Sequence, residues 1–435
     1  MTRTLRIGLV GYAFMGAAHS HAWRTAHRFF DLDVTPEMAI LVGRTESKTR
    51  AAATRLGWRE AETDWRRLIE RDDIDVIDIC TPGDTHAEIA IAALEAGKHV
   101  LCEKPLANSV AEARAMAEAA ASAAERGVFA MCGFSYRRTP ALALARQFVQ
   151  EGRIGDIRHV RAQYLQDWLS DADAPLTWRL DRDRAGSGSL GDIGAHSIDA
   201  AQFVTGQSVT AVSATLETFV TSRPLGGDLV GLGGVGHADA PRGPVTVDDA
   251  ALFTARFDNG AIGIFEATRF ALGRKNAMRL EVNGSRGSVA FDFEDMNSLQ
   301  YFDGTDPEGT QGFRRINVTE PVHPYTANWW PTGHGLGYDH LFTNQAADFV
   351  RCIVAGEQPR PSFDDALQVQ SVLAAVEASA GDESRWSPVA RAVATQDTPT
   401  QTTPTQITST NSLSTNSLSM HSTSMHATPM KDDRP

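Results

Sequence analysis

The 435-residue chain has little cysteine, no excess of basic charge and no long apolar run. Each scarcity removes a class of protein. The four cysteines, Cys80, Cys102, Cys132 and Cys352, fall mostly in apolar strand-like stretches without paired metal spacing, so reduced core thiols are expected rather than disulfides or zinc. No apolar run reaches the roughly 20 residues that span a bilayer, and no signal peptide precedes the first strand, so a cytoplasmic protein is expected. The net charge of -13 argues against nucleic acid or anionic membrane as a partner, since either demands a basic face. What remains, 42% hydrophobic and 22% charged residues, is the composition of a globular protein long enough for two domains.

The apolar run Leu5 to Val10 reads as a buried parallel strand, and the turn Gly8-Leu9-Val10-Gly11-Tyr12-Ala13-Phe14-Met15-Gly16 leads from it into a helix over Ala17 to Phe30. Strand, glycine turn and helix N-terminus aim unpaired N–H groups and the positive end of a helix dipole at a phosphate, which is how dinucleotides are held. Gly11, Ala13, Phe14, Met15 and Gly16 are the expected contacts, with Ala13 adding a methyl group where the common pattern has its middle glycine. A second unit follows the same logic. Asp75 to Cys80 reads as a strand, Thr81-Pro82 begins the turn at its carboxyl end, and a helix over Ala87 to Ala96 is closed by Gly97. The strand His99 to Cys102 then delivers Glu103-Lys104-Pro105 to the same rim. Thr81, Pro82, His86, Glu103 and Lys104 complete the expected cofactor shell.

Oxidising a secondary alcohol by hydride transfer requires a bound nicotinamide, a base for the hydroxyl proton, and positive charge where the alkoxide develops. Lys104 supplies the charge. Asp192 and His196 stand four apart on an expected helix, so a carboxylate on the same face can fix the imidazole tautomer while the other ring nitrogen meets the substrate. A first-turn Asp above a buried structural His gives the same spacing, and it is Lys104 on the cofactor rim that favours the catalytic reading.

Gly11 to Gly16, Thr81-Pro82, Glu103-Lys104-Pro105 and Gly191-Asp192-Ile193-Gly194-Ala195-His196 occur in the order and spacing of the Gfo/Idh/MocA oxidoreductases, and from about residue 4 to residue 390 the chain resembles that family. The resemblance implies an NAD(P)-dependent dehydrogenase of sugars, anhydrosugars or cyclitols, and it gives Lys104, Asp192 and His196 the roles just described. The segments 134–140, 164–168 and 185–192 look most like the levoglucosan dehydrogenase and inositol dehydrogenase-like subgroup. The expected fold is α/β, with a doubly wound parallel Rossmann sheet over 1–133, an α+β domain with a large open, mostly antiparallel sheet over 134–393, and a disordered Ser/Thr-rich tail from 394 to 435. Family members use such a sheet for oligomer contacts, so a homodimer or homotetramer is expected. In the second domain a helix over Ala141 to Val149 and strands at 157–164, 209–219, 250–257, 261–267, 279–282 and 288–293 are expected, with turns at Asn259-Gly260 and Asn283-Gly284 and a long excursion from Pro224 to Pro244.

Tyr136, Gln166 and Arg179, with His196, are the expected substrate contacts, and Trp178, Trp329 and Trp330 offer apolar walls to a sugar face. Ser135 departs from the asparagine common among relatives. His334 and His340 read as incidental, and His19, His21 and His86 show no ligand spacing for a catalytic metal, so none is expected. At the end of the second strand, Ala39 to Val42, Gly43 stands where NAD enzymes place an acid, and Arg44 and Thr45 suit a 2′-phosphate. This leans towards NADP, although the levoglucosan dehydrogenase subgroup uses NAD. Two rivals remain: an NAD-dependent glycosidase acting by transient oxidation, and a non-catalytic dinucleotide-binding sensor.

Overall fold

The computed structural model describes residues 3–230, 233–237 and 239–390. The tail expected to be disordered lies outside them. Alternating strands and helices build the first half: β1 (Arg3–Val10), α1 (Phe14–Phe29), β2 (Val34–Val42), α2 (Glu46–Leu56), β3 (Glu60–Glu62), α3 (Trp65–Ile69), β4 (Val76–Ile79), α4 (His86–Glu95), β5 (His99–Cys102), α5 (Val110–Ala124) and β6 (Ala130–Cys132). The six strands form one sheet in the order β3-β2-β1-β4-β5-β6, all parallel. Helices cover both faces, so the strands are continuous apolar runs: Ile7, Leu9, Val76, Ile77, Ile79 and Val100 are wholly buried. The strand order reverses between β1 and β4, and the crevice beyond their carboxyl ends is where this topology binds nucleotides.

The second half begins with α6 (Pro140–Gln150) and β7 (Ile157–Leu165), and continues through α7 (Arg182–Ala185), α8 (Ala195–Thr205) and β8 (Val209–Glu217). Four short strands follow: β9 (Ser222–Pro224), β10 (Gly227–Val230), β11 (Gly233–Gly236) and β12 (Arg242–Pro244). Next come β13 (Ala250–Phe257), β14 (Ile262–Thr268), β15 (Ala277–Gly284), β16 (Gly287–Asp292), β17 (Ser298–Asp303) and β18 (Arg314–Asn317). The described chain closes with α9 (Tyr338–Ala355), α10 (Phe363–Gly381) and β19 (Ser387–Pro388). Nine of these strands make the large sheet, in the order β18-β17-β16-β15-β7-β14-β13-β8-β19. Every pairing in it is antiparallel except β14 with β7. Buried and exposed residues alternate along β13, since α6, α8 and α10 cover only one face of the sheet. Helices α9 and α10 also pack against α1 and α5, which ties the two sheets together around the crevice.

Two local expectations change. Asn259-Gly260 does turn β13 into β14, with Gly260 at φ 87° and Asn259 Oδ1 accepting the Ala261 amide. Asn283-Gly284, by contrast, ends β15, and the turn is made by Ser285-Arg286. Gly284 is there because a Cβ would stand 2.0 Å from the Ile154 carbonyl oxygen. The excursion from Pro224 to Pro244 forms two small ladders, β9 with β12 and β10 with β11.

Candidate active site

The first turn is shaped by two glycines that nothing else replaces. Gly11 has φ 100°, and a Cβ on it would meet the Cys80 carbonyl oxygen at 2.6 Å; one on Gly16 would meet the Gly11 carbonyl at 2.2 Å. The chain therefore turns tightly over β4 and enters α1 at Phe14, three residues earlier than expected, with Ala13 as an N-cap whose side chain bonds nothing. The first-turn amides stay open to an anionic ligand. Ala13, Phe14 and Met15 line a cavity of about 410 Å³ with Thr81, Pro82, His86, Glu103 and Lys104. The same cavity is lined from the second half by Tyr136, Gln166, Arg179, Asp192 and His196. These open amides and this cradle fit a dinucleotide.

Lys104 projects from the end of β5 across the crevice. Its Nζ donates to the Asp192 carbonyl oxygen at 2.5 Å and lies 3.5 Å from Oδ1 of the same residue. The other carboxylate oxygen, Oδ2, is 3.3 Å from Nη1 of Arg269, a wholly buried residue just past β14. Burial would raise the Asp192 carboxyl, but Lys104, Arg269 and Arg179 together hold it down at about 2. Asp192 is thus a fixed anion anchoring two cations.

His196 is buried in an aromatic box. Tyr136 stacks on its ring with centroids 4.5 Å apart, and Phe134 meets it edge-on at 5.9 Å. Its Nδ1 has no hydrogen-bond partner. Burial and the Lys104 charge push the ring pKa well below its ordinary value, with Asp192 opposing, so the imidazole is neutral. The expected hydrogen bond from the His196 ring to the Asp192 carboxylate is not formed. Residues 190–194 make a π turn ahead of α8, and the Asp192 carboxylate is engaged instead by Lys104 and Arg269.

The sugar-sized end of the cavity is a connected polar network. Tyr164 donates to Asn276 Oδ1 at 2.7 Å and is joined to Tyr136 at 2.6 Å, while Gln166 donates to the same Asn276 oxygen at 2.8 Å and accepts from Trp168 Nε1. Arg179 lies over the Trp178 ring and faces Asp192. Trp178 lines the cavity, but Trp329 and Trp330 pack on Phe29 outside it. Ser135 is buried at the cavity wall. His334 and His340 do not line the cavity; they bond the Pro331 carbonyl and the Gly337 amide. His86 braces two loops, its ring nitrogens facing the carbonyls of Thr81, Pro105 and Leu106. His19, Asp78 and Cys80 bring three potential ligand atoms within 4.8 Å of one another, yet both imidazole nitrogens are already taken by carboxylates.

Arg269, Asn276, Tyr164 and Asp248 went unnoticed as site residues. They sit on or beside strands 28 to 140 residues from their partners in sequence, and no local spacing marks them. Past the end of β2, Arg44 and Thr45 are exposed and lie outside the cavity lining. Gly43 has a packing reason of its own: a Cβ would stand 2.1 Å from the Tyr12 ring.

Two family profiles match: the oxidoreductase family NAD-binding Rossmann fold over residues 5–133, and the GFO/IDH/MocA C-terminal domain over 142–290. A levoglucosan dehydrogenase from Pseudarthrobacter phenanthrenivorans is 42% identical over 385 residues, covering 88% of this chain and 97% of that one. The chain belongs to the Gfo/Idh/MocA oxidoreductases. Its relatives of known structure agree. A levoglucosan dehydrogenase solved with NADH and levoglucosan matches at TM-score 0.83 and 41% identity, over 90% of this chain and all of that one. An oxidoreductase domain protein from Kribbella flavida matches at TM-score 0.85 and 62% identity, with the same coverage. As a Gfo/Idh/MocA member the protein is an NAD-binding oxidoreductase, and among its described residues no helix is long and apolar enough to cross a membrane.

Proposed function

We propose that this oxidoreductase removes hydride from a secondary hydroxyl of a sugar, anhydrosugar or cyclitol. The observation that carries the reading is a neutral, buried imidazole with an unpartnered nitrogen in the same cavity as a lysine ammonium locked at 2.5 Å onto the Asp192 carbonyl. The nicotinamide, when bound, supplies the hydride acceptor. Ala13, Phe14, Met15, Thr81 and Pro82 hold the dinucleotide. Lys104 holds the substrate oxygen and stabilises the negative charge that grows on it, and His196 takes its proton. Tyr136, Gln166 and Arg179 orient the remaining hydroxyls, and Trp178 closes off water. A levoglucosan dehydrogenase among the relatives binds NADH and an anhydrosugar, which favours substrates of that kind.

For the dinucleotide we favour NAD. The lean towards NADP rests on Gly43 lacking an acid and on Arg44 and Thr45 as phosphate partners; the Tyr12 ring accounts for the glycine without a phosphate, and both side chains are exposed outside the cavity. We read residues 1–133 as the cofactor domain and 134–393 as the substrate and oligomer domain, with a second copy of the chain on the open face of the large sheet. The free thiols suit the reducing cytoplasm.

The test is a cofactor-absorbance assay of both dinucleotides against aldoses, anhydrosugars and cyclitols. Net reduction is expected, whereas aglycone release without it marks the glycosidase chemistry. Lys104→Ala is expected to lower kcat by at least about two decades, as loss of a transition-state charge contact does; an unchanged kcat removes Lys104 from the reaction. Arg44→Ala is expected to leave NAD turnover unaltered, and a selective loss of NADP turnover by about one to two decades restores the phosphate role for this side chain.

A further inference from the structure

Beneath the cofactor turn lies a buried charged relay that the chemistry above leaves unused. His19, on α1, is 2% exposed. Its Nδ1 stands 2.9 Å from each carboxylate oxygen of Asp78 on β4, and its Nε2 stands 3.0 Å from Oε1 of Glu103. A neutral imidazole carries a single N–H, and here both nitrogens face carboxylate oxygens, so both donate and the ring is an imidazolium. Burial opposes that charge, but Asp78 overrides it and the ring pKa rises well above its ordinary value. The other neighbours leave the assignment intact. Trp23 Nε1, on the same helix, donates to Asp78 Oδ2 at 2.7 Å. The Cys80 thiol, 3.7 Å from Asp78, is kept protonated by burial and by that carboxylate. Helix α9 presents the Phe342 ring at 5.6 Å.

The far end of the relay reaches the reaction. Glu103 Oε2 accepts the backbone amide of Lys104 at 3.2 Å, and the Lys104 side chain ends on Asp192. Room for this carboxylate is built in, since a Cβ on Gly133 would come within 2.6 Å of Glu103 Oε1. Without the cation between them, two buried carboxylates repel and one of them takes up a proton. Glu103 would then lose its fixed place beside the Lys104 amide.

We propose that His19 is a positioning residue: as a buried imidazolium it ties Asp78 to Glu103 and thereby sets the Lys104 ammonium at the substrate oxygen. The proposal rests on the dehydrogenase reading of Lys104. Its test is His19→Gln in the full-length enzyme, measured for kcat, substrate KM, NADH affinity by fluorescence, and melting temperature. The expected result is a kcat lower by about one to two decades, with KM and NADH affinity within about threefold of wild type. In a Lys104→Met background the same change is expected to cost nothing further, because the two act on one interaction. Glu103→Gln leaves the His19–Asp78 pair intact and cuts only the link to Lys104, so it is expected to reproduce the loss, and it decides the matter if His19→Gln does not fold. Wild-type kcat in both variants, or losses that multiply with that of Lys104→Met, overturns the proposal. A wild-type enzyme that binds NADH but oxidises no polyol overturns the dehydrogenase reading and this proposal together, whereas an active wild type with active variants overturns this one alone.

Discussion

His196 accepts a proton only while its ring is neutral, and its surroundings favour the neutral ring. Burial and the Lys104 cation both disfavour the imidazolium, so a proton binds only well below the ordinary value of about 6.5. The acid limb of kcat/KM for alcohol oxidation is therefore expected below pH 6.5. Asp192 acts in the opposite direction, raising the imidazole pKa, so Asp192→Asn is expected to move the limb lower still while kcat falls through the loosened Lys104. A pH profile whose acid limb lies above 6.5 in the wild type, or rises in Asp192→Asn, removes His196 as the base. Lys104 and His196 were legible because each sits in a short motif at the end of a strand or the start of a helix. Arg269 was not, because its partner Asp192 lies 77 residues away in sequence and only the pairing of β14 with its neighbours brings them together.

The element that carries Asp192 is a π turn held from outside. Asp248 accepts from the Gly188 amide at 2.7 Å, the Ser189 hydroxyl at 2.7 Å and the Leu190 amide at 2.8 Å, so one carboxylate satisfies the donors that lead into the turn. The chain comes so close to Asp248 that a Cβ on Gly188 would lie 1.8 Å from its carbonyl oxygen. Gly188→Ala must push that backbone away, at a cost of about 1–3 kcal/mol. A melting temperature lower by several degrees is expected, together with a kcat loss as Asp192 shifts from Lys104 and Arg269. Calorimetry and steady-state kinetics check this, and a variant that melts and turns over like wild type shows that the approach is not needed. The helical spacing of Asp192 and His196 was visible in the sequence, and the π turn that hands Asp192 to Lys104 and Arg269 was not. A π turn depends on what grips its first residues, here a carboxylate 60 residues downstream, whereas periodicity reports only the average helix.

At the scale of the whole molecule, the large sheet leaves one face uncovered. Leu252 is 50% exposed, and Ile262 and Ile264 are 52% exposed; β13 pairs with β14 so that these three fall on one side. Beside them Arg161 and Glu281 form an ion pair across β7 and β15, and Glu266 and Arg256 stand opposite Leu252 and Ile262, so apolar side chains alternate with charges of both signs on this face. A self-complementary surface of that kind suits a two-fold contact between copies of one chain. The net charge of -13 opposes such a contact, but salt screens that repulsion over about 8 Å at physiological strength and leaves apolar contact untouched. Association is therefore expected to tighten as salt is added, which separates this interface from one held by surface ion pairs. Ile262→Glu with Ile264→Glu places four carboxylates at a two-fold contact, and light scattering behind a sizing column is expected to report a smaller species. Because the patch lies on the face away from the helices α6, α8 and α10, and so away from Lys104 and His196, that species is expected to keep its kcat. If the double variant runs at the wild-type mass, or if the wild type is itself a monomer at high salt, then the open face is not where copies of this chain meet.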